Sequence, residues 1–201
     1  MSIVWHYTYS HRIADILRSG TLLPPRMVPD RAAHEYASQF TGHKDWEADK
    51  KLLLFSAKPV WEPASYRAWQ KPNGEVTELY ALSDYADYGV TVYRIGVDNS
   101  ILKPWQRLKT LSRMSRHMAQ SLERVAVSLG SNPYDWWGTL FPVPSEQWES
   151  IEEYGNGEWK PFGVQEEAAC PPLTNSSHCS LAAWTPINYE PAPAGRAVVN
   201  I

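Results

Sequence analysis

The chain has 201 residues, about the size of one domain, and its ten tryptophans and eleven tyrosines give it an aromatic character. Its formal net charge of -3 argues against a sequence-wide attraction to nucleic acid or acidic membrane, although a local basic patch stays open. Two cysteines are too few for a disulfide framework, and neither an export signal nor an apolar run of roughly 20 residues is present, so we expect a cytoplasmic protein.

The first elements follow from residue type and spacing. Ile3–Tyr9 is rich in β-branched and aromatic residues, which predicts a strand, and Ser10 follows where a helix is commonly capped. The next apolar residues recur at the helical spacing of three and four, and Gly20 marks the end of that helix; they are Ile13, Ile16 and Leu17. Leu22 to Pro25 is expected to be extended, because a residue before proline avoids the helical region.

The middle of the chain is less regular. Residues 27–51 are predicted as a helical or irregular insertion, and the apolar run 52–56 is typical of a strand buried on both faces. Residues 59–69 indicate a turn into a short helix, and residues 88–97 a strand.

The second half contains a longer helical pattern. Residues 108–129 have apolar side chains at helical spacing, which predicts one long helix that ends at 130–133. Two strands, 136–141 and 148–154, are joined by the rigid link 142–144, and 155–157 gives a hairpin turn. Residues 165–201 are predicted as an irregular Pro-rich tail, docked or disordered.

The N-terminal strand carries the first candidate site. Because side chains alternate across a strand, His6 and Thr8 share one face, while Trp5 and Tyr7 share the other. An imidazole nitrogen and a hydroxyl about 7 Å apart suit hydrogen bonding to a ribose or an amide. The alternative is a core histidine held by a backbone carbonyl.

The order of these segments resembles the ADP-ribosyltransferase-like superfamily. The chain runs from a His6-Tyr7-Thr8 strand through an amphipathic helix, Gly20 and a Leu-Leu-Pro stretch to the Phe55-Ser56 strand. In this order it is similar to the DNA-targeting ADP-ribosyltransferase toxins and the RNA 2′-phosphotransferases. The resemblance implies an α+β fold of two small, packed, mainly antiparallel sheets with flanking helices over residues 1–164.

The resemblance also implies NAD as a substrate and assigns roles to several residues. His6 would hold the ribose with Thr8 beside it, and Phe55 and Ser56 would lie near the nicotinamide. Tyr7 or Trp61 would stack on the ligand. Apart from the resemblance, Arg94 on the predicted strand 88–97 is an inward-pointing charge that would bind pyrophosphate, or else would snorkel at a sheet edge.

The acid that such transferases need is harder to assign. They carry a Glu on a late strand, but residues 136–141 contain none. Glu149, in the sequence Gln147-Trp148-Glu149, is the first candidate to stabilise the oxocarbenium-like transition state. Glu62 is the second, because it follows Trp61 and a carboxylate beside an indole is expected to be partly desolvated. The alternative for Glu149 is a solvated strand edge.

Two further groups of polar residues were weighed. The basic cluster at the start of the predicted long helix would meet nucleic acid or a protein target, or would be a solvated face; it comprises Arg107, Lys109, Arg113, Arg116 and His117. Cys170, His178 and Cys179 match no structural zinc spacing, so no metal site is predicted.

Three functions remain open from the sequence. The first is an NAD-dependent ADP-ribosyltransferase that modifies a macromolecule, either a protein or a nucleic acid, as a toxin, defence or phage effector would. The second is a catalytically inactive nucleotide- or protein-binding module on the same fold. The third is a structural protein whose aromatic surface is an interface.

Overall fold

The computed structural model describes residues 2–25, 52–65, 67–70, 76–163 and 197–198. The strands are β1 (Ile3–Tyr9), β2 (Thr21–Leu22), β3 (Leu53–Ser56), β4 (Arg67–Gln70), β5 (Val76–Leu79), β6 (Val92–Asp98), β7 (Lys103–Pro104), β8 (Trp136–Thr139), β9 (Val143–Pro144), β10 (Trp148–Gly155), β11 (Glu158–Pro161) and β12 (Ala197–Val198). The helices are α1 (Ser10–Ser19), α2 (Leu82–Asp87), α3 (Trp105–Leu111) and α4 (Arg116–Ser128). Short 3₁₀ turns cover Pro63–Ser65, Asn99–Ile101, Pro133–Asp135 and Ser145–Gln147.

A seven-stranded sheet forms the centre, in the order β11-β10-β6-β1-β3-β8-β7, and all six neighbouring strand pairs in it are antiparallel. A three-stranded sheet, β12-β4-β5, and the two-stranded pair β2-β9 accompany it. The α+β class with antiparallel sheets is therefore confirmed. The sequence resemblance implied two small sheets, whereas the described residues form one sheet of seven strands and smaller sheets of three and two strands.

β1 lies near the middle of the central sheet. All seven of its residues pair with β6, and Trp5 lies opposite Ser56 of β3. The predicted strand Ile3–Tyr9 is confirmed, and so is the helix after it, which ends at Gly20 in the left-handed region with φ 61°. Ser10 does not cap that helix: it is the first helical residue, and Tyr9 occupies the cap position without a side-chain hydrogen bond.

The two faces of the central sheet bury different cores. We call one the His6 face; its core packs α1 against the sheet and includes Val4, Phe55, Ile95, Ile13 and Leu22. We call the other the aromatic face; its core includes Trp5, Tyr7, Tyr9, Tyr85 and Val92. This division follows from the alternation of β1, since partners directly opposite in a ladder share a face.

The predicted long helix 108–129 is wrong, because the segment forms two helices. α3 ends at Leu111, and Arg113 has a positive φ of 59° that no helix tolerates. The Ser115 hydroxyl then accepts a hydrogen bond from the Met118 N–H at 3.2 Å and caps the start of α4. Apolar spacing persists across the break, so the periodicity alone could not show it.

Three smaller expectations were tested. Residues 59–69 were predicted as a turn into a short helix; the turn is Pro63–Ser65, and the strand β4 begins at Arg67 where the helix was expected. β3 is buried on both faces, as predicted, except at Leu54, which is 40% exposed. The hairpin is confirmed: β10 and β11 are joined by Asn156 and Gly157, both with positive φ, as a two-residue type I′ turn requires.

Two predicted segments lie wholly or mostly outside the described residues. The insertion 27–51 lies wholly outside them, and of the tail 165–201 only Ala197–Val198 is described, as the strand β12 that pairs with β4. Among the helices that are described, none has the length and apolar content to cross a membrane.

Candidate functional site

Arg94 is a buried charge on the aromatic face. Its guanidinium carbon lies 3.8 Å from the ring centroid of Trp5 and 4.3 Å from that of Trp159, so the two indoles enclose it. Its Nε donates to Glu152 Oε2 at 2.7 Å, a second nitrogen pairs with the same carboxylate, and Nη1 donates to the Pro59 carbonyl. β6 supplies Arg94 and β10 supplies Glu152, which lies directly opposite it. The charge of Arg94 is therefore balanced by Glu152, and its guanidinium is bonded within the protein.

Tyr7 lies beside this pair on β1. Its ring meets Trp61 edge to face, with centroids 4.9 Å apart, and its hydroxyl donates to the Lys58 carbonyl at 3.3 Å. Burial raises the pKa of Tyr7 well above its ordinary value, and the nearby Arg94 only partly opposes this effect. The phenol is therefore neutral and serves as a hydrogen-bond donor.

Glu62 is the second buried charged residue of this face and is only 3% exposed. Its Oε2 accepts a hydrogen bond from the Ser56 hydroxyl at 2.6 Å, and its Oε1 accepts from the Ser131 hydroxyl and from the Ala64 N–H. A buried carboxylate needs such donors to offset its lost hydration. The network thus ties the loop after β3 to the end of the central sheet and to the segment after α4.

The same loop is held at two further points. The Lys58 ammonium donates to the Gly130 carbonyl at 2.7 Å, and the Trp159 indole N–H donates to the Val60 carbonyl at 2.8 Å. These contacts close residues 57–65 over the aromatic face.

His6 lies on the opposite face and is half-buried. Its Nδ1 is 2.9 Å from the Leu54 carbonyl, and its ring lies 5.6 Å from that of Phe55. A carbonyl accepts only from an N–H, so Nδ1 carries a proton in this contact. Thr8, two residues along the same face, is buried.

Glu149 lies apart from both groups. It is exposed and occupies the irregular step of β10 between Trp148, opposite Val97, and Ser150, opposite Gly96. β6 lies between β10 and β1, so β10 and β1 are two strand spacings, roughly 10 Å, apart.

The predicted site residues therefore divide between two faces. Trp5 pairs with Ser56, so Ser56 points to the aromatic face and His6 away from it. The aromatic face brings together Tyr7, Ser56, Trp61, Glu62 and Arg94; the His6 face carries His6, Thr8 and Phe55. His6 and Ser56, both expected to contact NAD, therefore point to opposite faces of the sheet.

Four partners in the aromatic-face network were not singled out from the sequence: Trp5 as a stacking partner, Ser131, Glu152 and Trp159. Ser131 lies 69 residues from Glu62, and no local pattern connects them. One feature could have identified Glu152 from the sequence. A buried arginine needs an acidic partner, and Glu152 is an acid on another predicted strand.

Metal ligands were also sought. Within the described part of the chain, no three His, Cys, Asp or Glu residues are grouped to hold an ion. Cys170, His178 and Cys179 lie outside those residues.

The fold and these two faces define an α+β protein whose central antiparallel sheet carries a buried polar network on one side and a half-buried histidine on the other. No protein-family model, curated protein or solved structure matches the chain.

Proposed function

We propose that the protein binds NAD or a related nucleotide on the His6 face of the central sheet. The observation that carries this proposal is the half-buried His6, which shares its face with Thr8 and Phe55. These are three of the residues that the ADP-ribosyltransferase resemblance assigns to the ligand. The aromatic face is the poorer candidate, because its two charged side chains, Arg94 and Glu62, are buried.

Aromatic side chains support a ring-binding role next to His6. Phe55 pairs with Trp137 of β8, so the same face carries His6, Phe55 and Trp137 on three neighbouring strands. Trp137 is half-buried, and an indole of this kind supplies a flat apolar surface for a base or a nicotinamide. The imidazole then supplies a hydrogen bond to the ribose.

Calorimetric titration with NAD tests this proposal. We expect binding by the wild-type protein and at least about tenfold weaker binding by His6→Ala, the loss expected for one hydrogen bond of about 1.4 kcal/mol. His117→Ala, which removes an exposed histidine from α4, is the matched control and should bind as the wild type does. Wild-type protein that does not bind NAD would contradict the proposal.

A second candidate function is transfer of ADP-ribose from NAD to a macromolecule, and Glu153 favours it. Glu153 lies opposite Tyr93, which lies opposite Thr8, so this carboxylate shares the His6 face at a distance of about two strand spacings, roughly 10 Å. A carboxylate there would stabilise the positive charge that develops as the nicotinamide leaves. Glu62 is on the other face and Glu149 is exposed at the irregular step.

Release of nicotinamide separates the two functions. The protein is incubated with NAD and with mixed protein, DNA and RNA, and free nicotinamide is measured. Under the transfer function Glu153→Gln should lose release by about 100-fold or more, whereas Glu149→Gln on the same strand should retain it. Binding of NAD without any release by the wild type would favour the binding module.

A further inference from the structure

One segment of the chain has a net positive charge because it contains almost no acidic residues. Residues 103–130 contain six of the 19 Lys and Arg residues but one of the 22 Asp and Glu residues, Glu123, which gives this segment a net charge of +5. The remainder of the chain therefore carries -8 against the total of -3. Such asymmetry is typical of proteins that bind an anionic macromolecule locally.

Glu123, the single acid of this segment, contacts side chains of α3. Glu123 of α4 accepts hydrogen bonds from the Trp105 indole at 2.7 Å and from the Lys109 ammonium at 2.8 Å, both on α3. Burial opposes its ionisation, but these two hydrogen bonds hold the pKa of Glu123 below its ordinary value. Glu123 thus neutralises Lys109 and braces the two helices.

α4 presents its opposite side to solvent. Ala119 and Ala126 are buried in the core cluster that includes Trp105 of α3. Arg116, Gln120 and Arg124 are exposed and follow one another at the spacing of four, so they form one stripe along the helix. We call these three residues the α4 stripe.

A short turn joins the two helices. Four residues, 112–115, connect α3 to α4, and Arg113 in this turn has a left-handed backbone with φ 59°. Arg113 is also exposed and adds a positive charge beside the start of α4.

We propose that the α4 stripe binds double-stranded DNA. A helix about 10–12 Å across fits the B-form major groove, which is about 12 Å wide, whereas the deep, narrow major groove of A-form RNA does not admit it. Arg116 and Arg124 contact phosphates, and Gln120, between them, faces the edges of the bases. This surface is independent of the proposed NAD site.

Fluorescence anisotropy with a labelled duplex of about 24 base pairs tests this proposal in the full chain. We expect a dissociation constant of about 10⁻⁶ to 10⁻⁴ M that weakens steeply with salt. Reversing both arginines, Arg116→Glu with Arg124→Glu, should weaken binding at 50 mM salt by at least about tenfold. It should also reduce the slope of log K against log salt by about 2.

The matched control reverses two exposed cations elsewhere, Arg18 of α1 and Lys160 of β11, and so makes the same change in net charge. Arg18→Glu with Lys160→Glu should retain duplex binding within about threefold. If the arginine reversals unfold the protein by circular dichroism, Arg116→Ala with Arg124→Ala replaces them. Absent duplex binding, equal losses in both double variants, or tighter binding to RNA or single strands would overturn the proposal.

Discussion

Replacing Arg94 should strongly destabilise the protein. The side chain is 9% exposed, its partner Glu152 is 20% exposed, and the guanidinium is enclosed by Trp5 and Trp159. Removing one member of a buried ion pair costs about 3–5 kcal/mol, because the other charge is left uncompensated. The lost contact with each indole adds about 1 kcal/mol.

These contributions overlap, so we expect Arg94→Met to lower the free energy of unfolding by about 4 kcal/mol. This is a large fraction of the 5–15 kcal/mol typical of a domain, and the variant is therefore accompanied by Arg94→Lys. Lysine keeps the charge but loses the planar fork and the stacking, and should cost about 2 kcal/mol.

Urea unfolding measured by tryptophan fluorescence and by circular dichroism gives both values. Arg18→Met is the control, since Arg18 is 77% exposed in its pair with Asp15 and should change the free energy of unfolding by less than about 0.5 kcal/mol. A loss below about 1 kcal/mol for Arg94→Met, together with weaker NAD binding, would refute this reasoning. Arg94 would then be a pyrophosphate ligand, one of the two roles that the sequence left open for it.

Three further substitutions test the network, the hairpin and the buried phenol. Glu62→Gln replaces one carboxylate oxygen with an amide NH₂, which cannot accept from the hydroxyl that faces it, and should lower the free energy of unfolding in urea by about 2 kcal/mol; a change below about 0.5 kcal/mol would show that the network is not needed. Gly157→Ala forces alanine to φ +84° and should cost about 1 kcal/mol, whereas Gly155→Ala, which meets nothing within 4 Å and has no positive φ, should lower the melting temperature less. The raised pKa of Tyr7 means that the folded protein keeps this phenol neutral, so its contribution is complete below the ordinary pKa of about 10 and is lost as pH rises above it. Tyr7→Phe should therefore show a shallower loss of stability between about pH 10 and 11 than the wild type, and identical slopes would contradict the assignment.

Local elements with strong patterns were predictable from the sequence. β1, α1 and the hairpin at Asn156 and Gly157 were predicted because their signals lie within a few residues: β-branched content, helical spacing before a glycine, and a turn that requires positive φ. The break at Arg113 was not predictable, because the apolar spacing continues through it while the backbone does not.

The candidate site shows the same limit. The period of two in β1 was enough to put His6 and Thr8 on one face and Tyr7 on the other. It could not give the register that pairs Trp5 with Ser56, and a shift by one residue would have put Ser56 beside His6 on the same face.

The sequence by itself determined the α+β class, the first strand and helix, and the aromatic and basic residues available to each segment. Only the tertiary structure decided which residues meet, because strand register and contacts such as Glu62 with Ser131 join positions far apart in the chain. Such contacts depend on the packing of whole elements, and no local propensity records them. For this reason the residues first grouped as one NAD site belong to two faces of one sheet.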